Sequence, residues 1–147
     1  MERNAADDLT IIAEARAAVA ERYITPWWYH PVLGVMIAVY VTAFALGGTV
    51  VKLVAAAVFV LAATRLASTY RRITGVWING LEAGRASRWS KLVGLVMAVD
   101  LAGSWGLHFT TGLVWPVLVL QPFAVVAVVL MGRRFDEAVR EQLRSGV

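Results

Sequence analysis

The sequence predicts an all-α membrane protein: four transmembrane helices arranged as two hairpins, preceded by an amphipathic helix at the membrane surface. Three observations predict it. The 147 residues are 59% hydrophobic and only 16% charged, against roughly 25% charged in soluble domains. The charges gather at the two ends and in the middle, leaving four stretches nearly free of them. Finally, the stretch from Arg65 to Lys91 sets six basic residues against one acid, Glu82, between the two apolar halves.

Residues 5–23 read as the surface helix. Leu9, Ile12, Val19 and Tyr23 approximate a 3.6-residue period, while Asp7, Asp8 and Glu14 lie elsewhere. Acids near its start and Arg16 and Arg22 near its end suit the helix dipole. A secretory signal is not expected, because no apolar central run is present.

Pro26 and Pro31 argue against a regular helix between them, since each lacks an N–H and restricts its neighbour. Trp27, Trp28 and Tyr29 have the flat apolar ring and polar edge that the water–lipid interface selects. The favoured reading is an interfacial anchor. The alternative is an aromatic cage or lipid-headgroup site built from Trp27, Trp28 and His30. Trp77 and Trp89 of the central loop are expected to dip into the same interface.

The spans fall at about 32–47, 50–70, 92–109 and 113–131, each near the ~20 residues that cross hydrocarbon as a helix. Gly47-Gly48-Thr49 and Thr110-Thr111-Gly112 are short uncharged turns, so paired helices run antiparallel. The basic loop at 71–91 and the basic tail at 132–147 then face the cytoplasm with both termini, in the cell (inner) membrane, as the positive-inside rule requires. In the tail, Phe135, Val139 and Leu143 form an apolar stripe on a short helix. Asp136 precedes Arg140 by the four residues that favour an ion pair. Pro116 sits in a first turn, where proline is tolerated. Pro122 is interior and releases the Leu118 carbonyl. The run from Gly34 to Val39 parallels that from Gly94 to Val99, as a duplicated hairpin would.

Pro26-Trp-Trp-Tyr-His-Pro31 and Tyr70-Arg-Arg-Ile-Thr-Gly-Val-Trp77 resemble segments of small four-span membrane proteins of GC-rich bacteria, a group to which no activity attaches. The resemblance implies a class and not a mechanism.

Asp100 is the residue most able to carry a function. It lies mid-span, where an ionised carboxylate costs at least ~2.5–3.5 kcal/mol, and intramembrane acids are functional candidates by default. Ser104 and His108 follow at four and eight residues, on the same helical face. Gln121, Arg65 and Tyr40 lie at depths from which they can answer it. In a structural reading Asp100 is satisfied by Arg65, Gln121, Tyr40 or Ser104 and fixes how the hairpins dock. In a functional one it is a proton-carrying group, with Ser104 and His108 completing the path outward.

Other chemistries find little support. No cysteine is present, which excludes thiol catalysis and Cys-ligated metals. Gly75, Gly80 and Gly84 match no phosphate-binding loop, and Asn79 is followed by Gly-Leu, so it is no glycosylation acceptor. His30 and His108 fall at opposite membrane faces and cannot share a metal. No Ser/His/Asp set is expected at one depth. A net charge of +4 without a recognition motif points to lipid orientation, not nucleic acid. The expected partners are the bilayer and a membrane protein or second copy, and no cofactor is expected. The leading function is a non-enzymatic accessory, scaffold or sensor subunit. A small proton-linked transporter or channel using Asp100 is the alternative, and an enzyme acting on a lipid or isoprenoid is a weaker one.

Overall fold

The computed structural model describes residues 2–22, 25–75, 80 and 83–145, without the side chains of residues 2–6, 16, 19 and 22. The expectations on Trp77 and Asn79, on Tyr23, and on the side chains of Arg16, Val19 and Arg22 lie outside the described residues. Five helices follow one another: α1 (Glu2–Arg22), α2 (Tyr29–Leu46), α3 (Thr49–Thr74), α4 (Ser87–Thr111) and α5 (Trp115–Ser145), with a 3-10 turn at Gly84–Ala86. The last four are long and apolar enough to cross a membrane. No strand occurs among the described residues.

Alanine, valine and leucine carry α2 to α5 through hydrocarbon, where a backbone must satisfy its own hydrogen bonds. The ends are set by glycine. Gly75 and Gly112 close α3 and α4 in the left-handed conformation, donating to the carbonyls of Arg71 at 3.0 Å and His108 at 2.8 Å.

Four boundaries differ from the sequence expectation, each for a local reason. Helix α2 begins at Tyr29, so Pro31 lies inside its first turn, where a missing N–H leaves no bond unmade. Helices α3 and α4 extend past the apolar runs to Thr74 and back to Ser87, shortening the central connection. The tail is no separate helix: α5 runs unbroken across Gly132-Arg133-Arg134 to Ser145. One glycine weakens a helix by about 1 kcal/mol and does not end it, and charge marks where lipid stops without marking where the helix stops.

Helix α2 is the hub, packing on α3, α4 and α5, while α4 and α5 pack on each other and α3 leans chiefly on α2. At the centre, Ile37, Val41 and Val128 are buried with Tyr40, Phe59, Val93 and Met97 around them. Within lipid these contacts hold by close packing, since hydrocarbon tails are as apolar as the side chains. Beyond the apolar region α5 packs on the 3-10 turn that precedes α4. Phe135, Val139 and Leu143 pack with Ala86, whose N–H donates to Gln142 Oε1 at 3.1 Å. Helix α1 packs on α5 and buries Ala20, leaving Leu9, Ile11 and Ile12 exposed. The matched glycines of the two hairpins have unlike surroundings. A Cβ on Gly34 would meet the Val125 backbone at 3.2 Å, whereas one on Gly94 would meet nothing within 4 Å.

Candidate functional site

Two polar clusters stand out, one at the basic end of the bundle and one within the membrane-spanning part.

The first follows from where α2 starts. The Tyr29 N–H donates to the Pro26 carbonyl at 3.0 Å, and the helix that opens there sets His30 in phase with the buried face of Gly34, Ile37, Ala38, Val41 and Ala45. On α5 the buried face is Val117, Gln121, Ala124, Val128, Gly132, Asp136 and Val139, so the continuous helix delivers a carboxylate opposite the imidazole. His30 Nε2–H donates to Asp136 Oδ2 at 2.8 Å, and both side chains are buried. Gly132 makes the approach possible: a Cβ there would lie 2.2 Å from His30 Nδ1. The Tyr29 ring meets His30 edge-on at 5.3 Å and lies 4.8 Å from the ring of Tyr70 on α3. The Tyr70 hydroxyl hydrogen-bonds Thr25 Oγ1 at 3.4 Å. From α4, Ser90 donates to the carbonyls of Ser87 at 2.9 Å and of Gly80. These groups, with Leu33, Val93, Val128 and Phe135, line a cavity of ≈ 190 Å³ to which all four apolar helices contribute.

Ser90, His30 and Asp136 therefore do share one level, contrary to the sequence expectation. The hydrogen bonds argue against nucleophilic catalysis all the same. Ser90 donates to backbone carbonyls, His30 Nε2 is bonded to Asp136, and the Nδ1 edge lies hard against Gly132. A general base must face the nucleophile it activates, and here the contacts hold helices together.

The second cluster is built on Asp100. Ser104, 0% exposed, donates to Asp100 Oδ1 at 3.2 Å and accepts from Gln121 Nε2 at 3.4 Å. Gln121 also donates to the Val117 carbonyl at 3.1 Å. Asp100 Oδ2 and Gln121 Oε1 are covered and have no hydrogen-bond partner. Asp100 lies in an open groove between α4 and α5, lined by Leu95, Val99, Gly103, Phe123, Ala124 and Ala127.

Of the residues singled out from sequence, Asp100, Ser104 and Gln121 come together. Arg65 does not join them: it is exposed on α3, away from the α4–α5 pair, and makes no ion pair with Asp100. Tyr40 packs its ring 4.9 Å from Phe59, between α2 and α3. His108 closes the far turn, its Nδ1–H donating to the Leu113 carbonyl at 3.2 Å. Trp27 is 83% exposed and Trp28 half-buried. His30 turns inward, so these three do not form a cage. Trp89 is half-buried, with the neighbouring Arg88 guanidinium 5.4 Å from its ring. Asp136 pairs with His30 and not with Arg140. Sequence reasoning missed Asp136, Ser90 and Tyr70 as partners of His30. The available signal was the register of Asp136 with the buried face of α5.

No three His, Asp or Glu side chains converge to hold a metal ion among the described residues. No family model, curated protein or solved structure matches this chain.

Proposed function

We propose that this chain is an integral membrane protein without chemistry of its own, an accessory, scaffold or sensor subunit that joins a membrane partner through the α4–α5 groove. The observation that carries the reading is Asp100 Oδ2, a carboxylate oxygen in the apolar part of a spanning helix with no donor among the described residues. Such a group is costly in hydrocarbon. A partner helix bearing a hydrogen-bond donor or a cation at that depth relieves the cost once the Asp100 side chain turns its covered oxygen toward the groove, and Gly103, Ala124 and Ala127 let the partner's backbone come close. Two copies meeting groove to groove would set Asp100 against Asp100 with no donor between them, so the chemistry favours a different partner surface.

In this reading the chain sits in the inner membrane with its basic end and both termini in the cytoplasm. Arg71, Arg72, Arg85, Arg88, Lys91, Arg133 and Arg134 at one end, against Lys52 near the other, support that orientation. Exposed Leu9, Ile11, Ile12 and Trp27 support α1 and the segment after it resting on the membrane surface.

The linked Asp100–Ser104–Gln121 set also favours a second reading, a proton-linked transporter or channel. Reconstitution of the chain alone in liposomes separates the two. The accessory reading predicts no flux under a proton gradient from wild type or Asp100→Asn, while Asp100→Asn weakens co-purification with the partner. Wild-type flux abolished by Asp100→Asn would establish the transporter reading in its place.

A further inference from the structure

We propose that the cavity at the basic end binds the primary ammonium group of a zwitterionic phospholipid headgroup of the phosphoethanolamine type. Its position fits a headgroup: the cavity opens where α2 and α4 begin, α3 ends and α5 leaves its apolar run, the level at which lipid polar groups lie. Its lining fits a cation. Asp136 is the acid among its described lining residues, and a carboxylate offers about four acceptor positions. The rings of Tyr29, Tyr70 and Phe135 add aromatic faces that attract an ammonium group.

The surroundings fit the other half of the headgroup. Arg71 and Arg72 follow Tyr70 on α3, and Arg133 and Arg134 follow Gly132 on α5, all exposed. A phosphate inside the cavity would face Asp136, whereas outside it meets these guanidinium groups. The zwitterion therefore enters amine first. A primary ammonium brings three N–H donors to the Asp136 carboxylate and its neighbours, and a quaternary one brings none. Discrimination between ethanolamine and choline lipids follows from that difference.

The test is native mass spectrometry of the full chain in detergent micelles, with phosphatidylethanolamine, phosphatidylcholine or phosphatidylglycerol added in turn. The expected result is retention of the ethanolamine lipid about tenfold above the other two. Asp136→Asn should lower it about tenfold. Val93→Phe, which fills the cavity and leaves the His30–Asp136 pair in place, should lower it likewise and guards against misfolding of the first variant. Competition with soluble phosphoethanolamine identifies the source. Displacement of the lipid means that the headgroup alone is read, and resistance to it means that the acyl chains are part of the ligand. Equal retention of all three lipids, or an ethanolamine preference that survives both substitutions, would overturn the proposal.

Discussion

Gly132→Ala is the most informative single change in the molecule. The added Cβ would lie 2.2 Å from His30 Nδ1 and 2.6 Å from both Cε1 and Cγ, closer than atoms approach without bonding. One escape remains: the imidazole must move off α5, breaking its 2.8 Å bond to Asp136. Overpacking costs about 1–3 kcal/mol. A buried acceptor stripped of its donor costs about 1–3 kcal/mol more. Replacing glycine by alanine in a helix returns about 1 kcal/mol. The net expectation is a loss of about 1–5 kcal/mol, taking overpacking and the lost bond together against the helix gain. Gly94→Ala is the control, since its Cβ meets nothing within 4 Å. It should be neutral or stabilising by up to about 1 kcal/mol. Unfolding of the full chain in detergent, followed by tryptophan fluorescence, measures both. In a His30→Ala background the Gly132→Ala penalty should largely vanish, because the obstructing ring is gone; a coupling of about 0.5–3 kcal/mol is expected for residues in contact. A Gly132→Ala protein as stable as Gly94→Ala, or a penalty unchanged without His30, would show that the His30 ring does not rest on Gly132.

Other outcomes follow from the same contacts. Ser104→Ala removes the donor to Asp100 and the acceptor of Gln121 at a fully buried site, and should cost about 1–3 kcal/mol in the same assay. Arg65→Gln should change stability by less than about 0.5 kcal/mol, as exposed substitutions do; a large loss would restore Arg65 as a partner of Asp100. Reporter fusions at Gly80 should give cytoplasmic signals and those at Gly48 and Thr111 external ones, with the reverse pattern overturning the orientation. Trp27→Ala should leave the bundle's stability unchanged, since that ring is exposed, and a lowered melting temperature would mean that it packs after all.

The four apolar helices and their turns were legible because each signal is local: charge-free runs of sufficient length, and glycine where the chain reverses. Side-chain partners were legible only where helix phase and neighbour were both known. Asp100 and Ser104 lie one turn apart on one helix, so their meeting could be read directly. Arg65 matched Asp100 in depth alone, and depth does not reveal that α3 leans on α2 and stays away from α4. From sequence His30 reads as part of the interfacial segment, with Trp27 and Trp28, because a helix beginning near residue 32 leaves it outside. Starting it at Tyr29 brings His30 into register with Gly34 and Ile37 and turns it inward. Asp136 was hidden for a related reason: Arg133 and Arg134 suggested a boundary, yet the buried face of α5 continues through Gly132 to Val139.

Whether the α4–α5 groove meets a partner is open to direct measurement, because the chain has no cysteine of its own. A single cysteine at Phe123, which lies in the groove and is 70% exposed, is compared with one at Leu61, which is 65% exposed on α3. Both are treated with a short bifunctional thiol- and amine-reactive crosslinker in native membranes. A discrete adduct with a different membrane protein is expected from Phe123→Cys, lost when Asp100→Leu is added, and none from Leu61→Cys. Equal labelling at both positions, or a Phe123→Cys adduct indifferent to Asp100→Leu, would contradict it.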